Sequence, residues 1–241
     1  MAPGPRDQDQ PHFGRESLFR KKLNQLRTSG EIQNLPGYDS ASRTREIEKG
    51  AYLEQVHTTL TNADPVDLDR LTLLDGLTEL YNNKTICRVL KDELKRSKRY
   101  KYNTALVMVR VDGFDEIIGR FGHLASDSVF KGSANFLMNT IRDVDIPARY
   151  DGDTFVVVCP QTDVSGASVL AERLRSRIYS ERISDVGQNW TVTISIGISA
   201  YPSGGTKEED LFQSALAALA DAQQRGGNTF SISEAEGSKK A

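Results

Sequence analysis

The sequence contains little cysteine and no long apolar run, and each absence excludes a class of protein. Only two cysteines, Cys87 and Cys159, occur among the 241 residues. We expect two free thiols in a reducing compartment, because Cys159 lies inside an apolar run; a disulfide is the alternative. No stretch reaches about eighteen consecutive apolar residues, the length that a membrane-spanning helix needs.

An excess of charge of one sign is also absent. The formal net charge is −2, and the chain is 27% charged and 38% hydrophobic. These proportions are typical of a soluble globular protein and lack the broad basic excess of a nucleic-acid-binding protein. We therefore expect no nucleic-acid partner, and the binding of an anionic ligand would depend on local arginines. The polar amino terminus lacks the apolar centre of a signal peptide, so a cytoplasmic location is predicted.

Composition divides the chain into four parts. Residues 1–14 are rich in Pro, Gly, Gln and Asp and are predicted to be disordered. Residues 15–74 are predicted to form an N-terminal helical extension with linkers. Its basic amphipathic segment 15–26 could contact acidic partners or lipid headgroups, or could simply present a solvated helix face. The organised domain is expected at 75–232, and the small, charged residues 233–241 are predicted to be disordered.

Helical and strand patterns alternate within residues 75–232. An apolar, valine-rich run at 104–111 is typical of a central strand that is buried on both faces. Two β-rich runs joined by Asp151-Gly152 predict a hairpin with a type I′ turn, whose central residues have positive φ. The whole pattern predicts an α/β sandwich with a mixed sheet. The predicted helices are 79–100, 114–120, 126–141, 164–179 and 208–225, and the predicted strands are 104–111, 144–150, 153–159, 190–200 and 228–232.

Four motifs occur along this domain. They are DGLTELYN at 75–82, VDGF through Gly122-His123 to Asp127 at 111–127, RYDGDTF at 149–155, and SIGIS at 195–199. In this order and spacing they resemble the motifs of the GGDEF, or diguanylate cyclase, family of bacteria. The resemblance covers roughly residues 75–230.

This resemblance implies a fold like the palm of nucleotide cyclases, with a central mixed sheet of about five strands wrapped by helices. Active members of the family dimerise and join two GTP molecules into the second messenger cyclic di-GMP, using two divalent metal ions. Because a fold alone does not establish a function, the residues at the family's site positions decide what is expected here.

The metal-holding position of the family is altered in this sequence. Family members hold the metal with one carboxylate at the end of the first strand and another in the signature hairpin. Asp153 retains the hairpin position, but the strand position is Arg110, which offers no lone pair to a cation. We hypothesise that Arg110 pairs with Asp153 in place of the metal, and no metal cofactor is expected.

Other positions that contact nucleotide in the family are also changed, while the guanine-contacting aspartate remains as Asp127. We therefore predict that this chain is not an enzyme and that Arg110, Asp127 and Asp153 are vestigial. The changed positions are Asp115, Ile118, Asp151, Thr154, Gln223 and Gly227, and Arg225 could stand in for a lost phosphate-binding residue.

A second family site is retained. Arg142 and Asp145 form the R-x-x-D motif of the family's inhibitory product site, and Arg173 lies at the position of its third contributor. An arginine can donate to guanine O6 and N7 or neutralise a phosphate, and an aspartate can accept from the amino edge of guanine. These three residues therefore predict a cyclic di-GMP site; an i, i+3 surface ion pair is the alternative.

The sequence thus predicts a catalytically inactive receptor that binds cyclic di-GMP and relays the signal through protein–protein contacts. The N-terminal helices or the domain surface would bind the partner, and ligand-linked homodimerisation is plausible. Two alternatives stay open: an interaction scaffold without ligand, and a weakly active diguanylate cyclase or GTP-binding enzyme.

Overall fold

The computed structural model describes residues 72–181, 183–185 and 188–233. The predicted disorder of 1–14, the helical extension 15–74 except for its last three residues, and the tail 233–241 except for Ser233 lie outside the described residues. Within the described part, no helix is long and apolar enough to cross a membrane. The cytoplasmic location stays a prediction.

Five of the seven strands in the described residues form the central sheet. The strands are β1 (Thr104–Val111), β2 (Ile146–Asp151), β3 (Thr154–Pro160), β4 (Ile183–Asp185), β5 (Gln188–Trp190), β6 (Ile194–Tyr201) and β7 (Phe230–Ile232). The order in the central sheet is β2-β3-β1-β6-β7. Only the β6–β7 pair is parallel. The sheet is therefore mixed and five-stranded, as the sequence predicted.

Four helices cover the two faces of this sheet. They are α1 (Asn83–Tyr100), α2 (Phe114–Thr140), α3 (Val164–Ser180) and α4 (Glu208–Gln224). Helix α1 packs beside α4, and α2 packs beside α3, so each pair forms one layer. Helix α1 begins where the side chain of Asn82 accepts from the backbone N–H of Thr85, and Asp163 caps α3 in the same way through Gly166.

The core lies between these layers, on both faces of β1, β3 and β6. Val107, Val157 and Ile198 are fully buried, one on each central strand. The rings of Phe130 and Phe155 stack with their centroids 4.2 Å apart and join α2 to β3. Strands covered by helices on both faces need apolar side chains at successive positions, which is why the run at 104–111 indicated a central strand correctly.

The break that the sequence predicted between the helices 114–120 and 126–141 is present: Gly122 adopts a non-helical φ of 81° and ψ of 176° and kinks α2 between its two halves. One predicted boundary differs in the structure. The strand predicted from 190 starts only at Ile194, and Trp190 belongs instead to the β4–β5 hairpin. Both cysteines are free thiols, as expected.

The predicted hairpin is present, but its turn is one residue further along the chain. Asp151 pairs with Thr154, so Gly152 and Asp153 are the central residues of the turn. Neither Asp151 nor Gly152 has positive φ, and the type I′ prediction was wrong. The register shifts between Arg149 and Asp151, and this irregularity takes up the extra residue.

Candidate functional site

The carboxylate of the hairpin turn is paired with an arginine from the central strand. Arg110 Nε lies 3.0 Å from Oδ1 of Asp153 and donates to Oγ1 of Thr154 at 3.0 Å. Its Nη1 donates to Oε1 of Gln223 on α4 at 3.2 Å. The hypothesis that Arg110 and Asp153 pair is therefore confirmed, and Thr154 and Gln223 complete the contacts of the guanidinium.

This arrangement does not fit the divalent metal that the family uses. A cation at Asp153 would meet the positive guanidinium of Arg110, which is held at 3.0 Å from the same carboxylate. Magnesium needs several oxygen ligands, and an arginine supplies none. Among the described residues, no group of three or more His, Cys, Asp or Glu side chains is placed to hold a metal ion.

Three other positions that the sequence singled out lie on or just after helices α2 and α4. Ile118 and Asp127 are half-buried on α2, on either side of the kink at Gly122. Arg225 follows α4, donates to Oγ of Ser231 at 3.0 Å and lies 3.6 Å from Asp221. These contacts direct Arg225 towards β7, and they do not support its role as a substitute phosphate ligand beside Arg110.

Sequence reasoning missed a second carboxylate at this end of the sheet. Asp112 accepts hydrogen bonds from the hydroxyls of Thr193 at 2.7 Å and Ser195 at 2.6 Å, and from the backbone N–H of Asn228 at 2.9 Å. A side chain at Gly227, whose φ is 73°, would come within 3.2 Å of this carboxyl group. Asp112 therefore joins β1 to β6 and to the loop before β7, and its partners are too distant in sequence to be inferred from spacing.

The opening DGLT motif and the hairpin are held together directly. Arg149 Nη1 donates to both carboxylate oxygens of Asp75, at 3.2 and 3.1 Å, and Nη2 donates to the carbonyl of Gly152 at 2.9 Å. The guanidinium also lies over the ring of Phe130 at 4.7 Å. Two of the four motifs thus form one contact that shapes the hairpin.

At the opposite end of β3, the structure brings the three predicted ligand-binding residues together. Arg142 follows α2, Asp145 precedes β2, and Arg173 lies on α3; all three line one small cavity of about 20 Å³. Its other lining residues are Cys159, Thr162, Gly166, Val169 and Leu170.

Arg142 and Asp145 form a closed turn beyond the end of α2. Oδ2 of Asp145 accepts from the backbone N–H of Arg142 at 2.8 Å, and the backbone N–H of Asp145 donates to the carbonyl of Arg142 at 3.1 Å. Asp145 is only 3% exposed, whereas Arg142 is exposed to solvent. The motif is therefore not the last turn of a helix, and its aspartate fixes the backbone from which Arg142 projects.

The cavity also contains a polar group without a partner. Nε of Arg173 is buried and has no hydrogen-bond partner within the described part of the chain. A buried donor left unpaired costs about 1–3 kcal/mol, so this atom has a hydrogen bond to offer to a group that enters the cavity. Burial, followed by the charge of Asp145, raises the pKa of the Cys159 thiol well above its usual value, so this thiol stays protonated beside them.

A mixed five-stranded sheet between two helical layers, with a signature hairpin on β2–β3, defines this protein as an α/β domain of the GGDEF type. Its sequence matches the family described as "Diguanylate cyclase, GGDEF domain" over residues 72–229. The chain therefore belongs to the GGDEF family.

Individual members of this family are similar to the chain in sequence and in structure. Diguanylate cyclase DgcP of Pseudomonas aeruginosa is 33% identical over 166 residues, covering 69% of this chain and 25% of DgcP. The GGDEF domain of TpbB (YfiN) from the same species superimposes with a TM-score of 0.64 at 26% identity, covering 67% of this chain and 94% of that domain. The GGDEF domain of DgcB from Caulobacter crescentus, solved with cyclic di-GMP, has a TM-score of 0.62 at 22% identity, covering 66% and 95% of the two chains.

Proposed function

We propose that this GGDEF domain is a catalytically inactive receptor for cyclic di-GMP, which it binds through Arg142, Asp145 and Arg173. The observation that carries the proposal is the single cavity shared by these residues, with the buried Nε of Arg173 left without a partner in the described structure. The ligand-bound structure of DgcB, which has the same fold, is consistent with it.

Each of the three residues has a distinct task in this proposal. The exposed Arg142 presents its guanidinium fork to guanine O6 and N7, and Asp145 holds the Arg142 backbone in place. Arg173 donates from the cavity to the base or to a phosphate. Because the cavity measures only about 20 Å³, the ligand lies across its mouth, where Val169 is 66% exposed and supplies apolar surface for a base.

The proposed inactivity depends on the hairpin end of the domain. Relatives such as DgcP are named diguanylate cyclases, so the proposal concerns the substitutions of this chain and not the family. The Arg110–Asp153 pair occupies the place where the family holds its metal, and Ile118 removes the polar contact of an asparagine with guanine. A bound divalent metal ion stabilises the negative charge that develops on the phosphates during the reaction. Without the metal, this stabilisation is lost.

Calorimetric titration of the whole chain with cyclic di-GMP tests the proposal. Replacing Arg173 with Ala removes a charged hydrogen bond and should weaken binding about 10- to 100-fold. Arg177→Ala is the matched control, because Arg177 lies one turn along α3 and pairs with Glu181. Its affinity should match that of the wild type.

Two outcomes would contradict the proposal. The absence of binding by the wild-type chain would favour the scaffold alternative, and equal losses in the Arg173 and Arg177 variants would place the site elsewhere. The enzyme alternative is tested by incubating the chain with GTP and either Mg²⁺ or Mn²⁺ and separating the products by chromatography. We expect no cyclic di-GMP, and clear product formation would overturn the proposed inactivity.

A further inference from the structure

Six cationic side chains share one exposed face of helix α1, and the proposed ligand site uses none of them. Along the helix, each cation follows the previous one by three or four residues, except that the last two are adjacent. This spacing places all six within an arc of about 100° along roughly 22 Å of helix. We call this the cationic face; it consists of Lys84, Arg88, Lys91, Lys95, Lys98 and Arg99, all exposed.

The opposite half of α1 is buried in the core. Ile86 and Leu90 are fully buried, and Leu94 is 6% exposed. Because about half of its circumference packs on the sheet and on α4, the helix forms a shallow ridge on the domain. The cationic face is the outermost part of that ridge, and its long side chains extend into solvent.

Positive charge is concentrated here although the whole chain carries a formal charge of −2. Three carboxylates moderate it: Asp92 contacts Lys95 at 2.8 Å, Glu208 from α4 contacts Lys91 at 3.1 Å, and the charge of the neighbouring Glu209 also acts on Lys91. With these three carboxylates set against the six cations, the face retains a formal charge of about +3. The hydrogen bond and the charge of Glu208 raise the pKa of Lys91, so this residue stays cationic.

An exposed aromatic residue continues the cationic face at the carboxyl end of α1. Tyr100 is 46% exposed, and the guanidinium of Arg99 lies 5.3 Å from the centre of its ring. Tyr102 lies parallel to Tyr100, with ring centroids 6.5 Å apart. In membrane proteins, tyrosine is enriched at the membrane–water interface, where its amphipathic ring lies at the level of the headgroups.

We propose that the cationic face of α1 docks on an anionic phospholipid surface. Attraction of lysine and arginine to the headgroups holds the domain there, and no segment inserts, because the apolar half of α1 is already buried in the core. Lysine ammonium groups bind headgroup phosphates as point charges without a fixed geometry, which suits a fluid surface.

The shape of the ridge favours a planar partner over a nucleic acid. Single strands follow grooves, and a helix that enters the major groove of DNA must protrude from its protein, whereas α1 is half embedded. Docking through α1 also leaves the ligand cavity accessible, since Arg173 and Val169 belong to α3 in the other helical layer. The proposal is thus independent of cyclic di-GMP binding.

Flotation of the whole chain with lipid vesicles tests the proposal. The chain should float with vesicles rich in phosphatidylglycerol and not with phosphatidylcholine alone, and added salt should release it. The triple variant Lys84→Gln, Lys95→Gln, Lys98→Gln should bind the anionic vesicles at least about tenfold more weakly. The control triple Arg120→Gln, Arg177→Gln, Arg225→Gln makes the same change in net charge outside the cationic face and should bind as the wild type does.

Three outcomes would overturn the proposal. Equal losses in the two triple variants would show a response to net charge alone. Loss of binding only when Arg20, Lys21 and Lys22 are neutralised would assign the attachment to the basic segment 15–26. Binding to single-stranded RNA but to neither vesicle would identify a nucleic-acid surface instead. Both triple variants should keep the wild-type affinity for cyclic di-GMP. The proposal of membrane docking can therefore be refuted without refuting the proposal of cyclic di-GMP binding, and the reverse also holds.

Discussion

The two ends of strand β3 hold the two clusters that the family resemblance singled out, and the clusters differ in whether their charged groups have hydrogen-bond partners within the chain. At the hairpin end, Arg110 is bonded to Asp153, Thr154 and Gln223. At the other end, Arg173 keeps a buried donor for which the described structure offers no acceptor. A charged group that already has hydrogen-bond partners within the chain gains little from a ligand. An unpaired N–H donor, in contrast, gains a hydrogen bond when a ligand binds.

The largest effect is expected at the end of β3 that holds the proposed ligand site. Asp145→Ala removes the acceptor of the Arg142 backbone N–H, so we expect a loss of about 1–3 kcal/mol in the free energy of unfolding and no measurable binding of cyclic di-GMP. Asp145→Asn keeps an acceptor for that N–H, so it should remain within about 1 kcal/mol of wild-type stability and should retain most of the affinity for cyclic di-GMP. Urea unfolding and calorimetric titration measure the two quantities.

The control for this prediction is Asp143→Ala, an exposed neighbour in the same turn. It should leave both measurements near their wild-type values. If Asp145→Ala were as stable as the control, the closed turn would not be what positions Arg142.

A smaller effect is expected at the hairpin end. Arg110→Asp places a carboxylate beside Asp153 and removes an ion pair whose side chains are 34% and 27% exposed, so we expect a loss of about 0.5–1 kcal/mol without divalent cations. Mg²⁺ should restore part of this loss, because two neighbouring carboxylates bind the cation and relieve their mutual repulsion. Thermal unfolding with Mg²⁺ or with EDTA measures the difference.

Arg110→Gln is the matched variant, since it removes the cation without adding a carboxylate. Neither it nor the wild type should respond to Mg²⁺, and no variant should form cyclic di-GMP while Ile118 and Gln223 remain. An equal thermal shift of the wild type by Mg²⁺ would refute the view that Arg110 excludes the metal.

The smallest effect concerns the pH dependence of the protein's stability that arises from Cys159, which lines the cavity of the proposed ligand site. Because the pKa of the folded Cys159 thiol is raised, the unfolded thiol ionises first as pH rises above its usual value of 9.0. The unfolded state then binds fewer protons than the folded state, so stability is fully present below that pH and falls above it. Urea unfolding should show a shallower decline above pH 9 for Cys159→Ala than for the wild type, whereas Cys87→Ala should change the slope less. Identical slopes for the two variants would contradict this assignment.

Local features of the fold were predictable because their causes are local. The buried run at β1 and the helical spacing of α3 are each contained within one element, and the motif around Asp153 is contained within one hairpin. The hairpin turn was misplaced by one residue because its register depends on an irregularity between Arg149 and Asp151, and pairing with β3 determines that irregularity. The non-helical conformation of Gly122 lies within the break that the sequence pattern left between the helices 114–120 and 126–141.

The amino-acid sequence by itself determined the succession of helices and strands, the substitution at Arg110 and the spacing of Arg142, Asp145 and Arg173. Only the tertiary structure decided which of these groups are bonded to one another and which are not. The reason is physical: periodicity and propensity act over a few residues, whereas the partners of Asp112 and the isolation of the Arg173 donor depend on how distant elements pack.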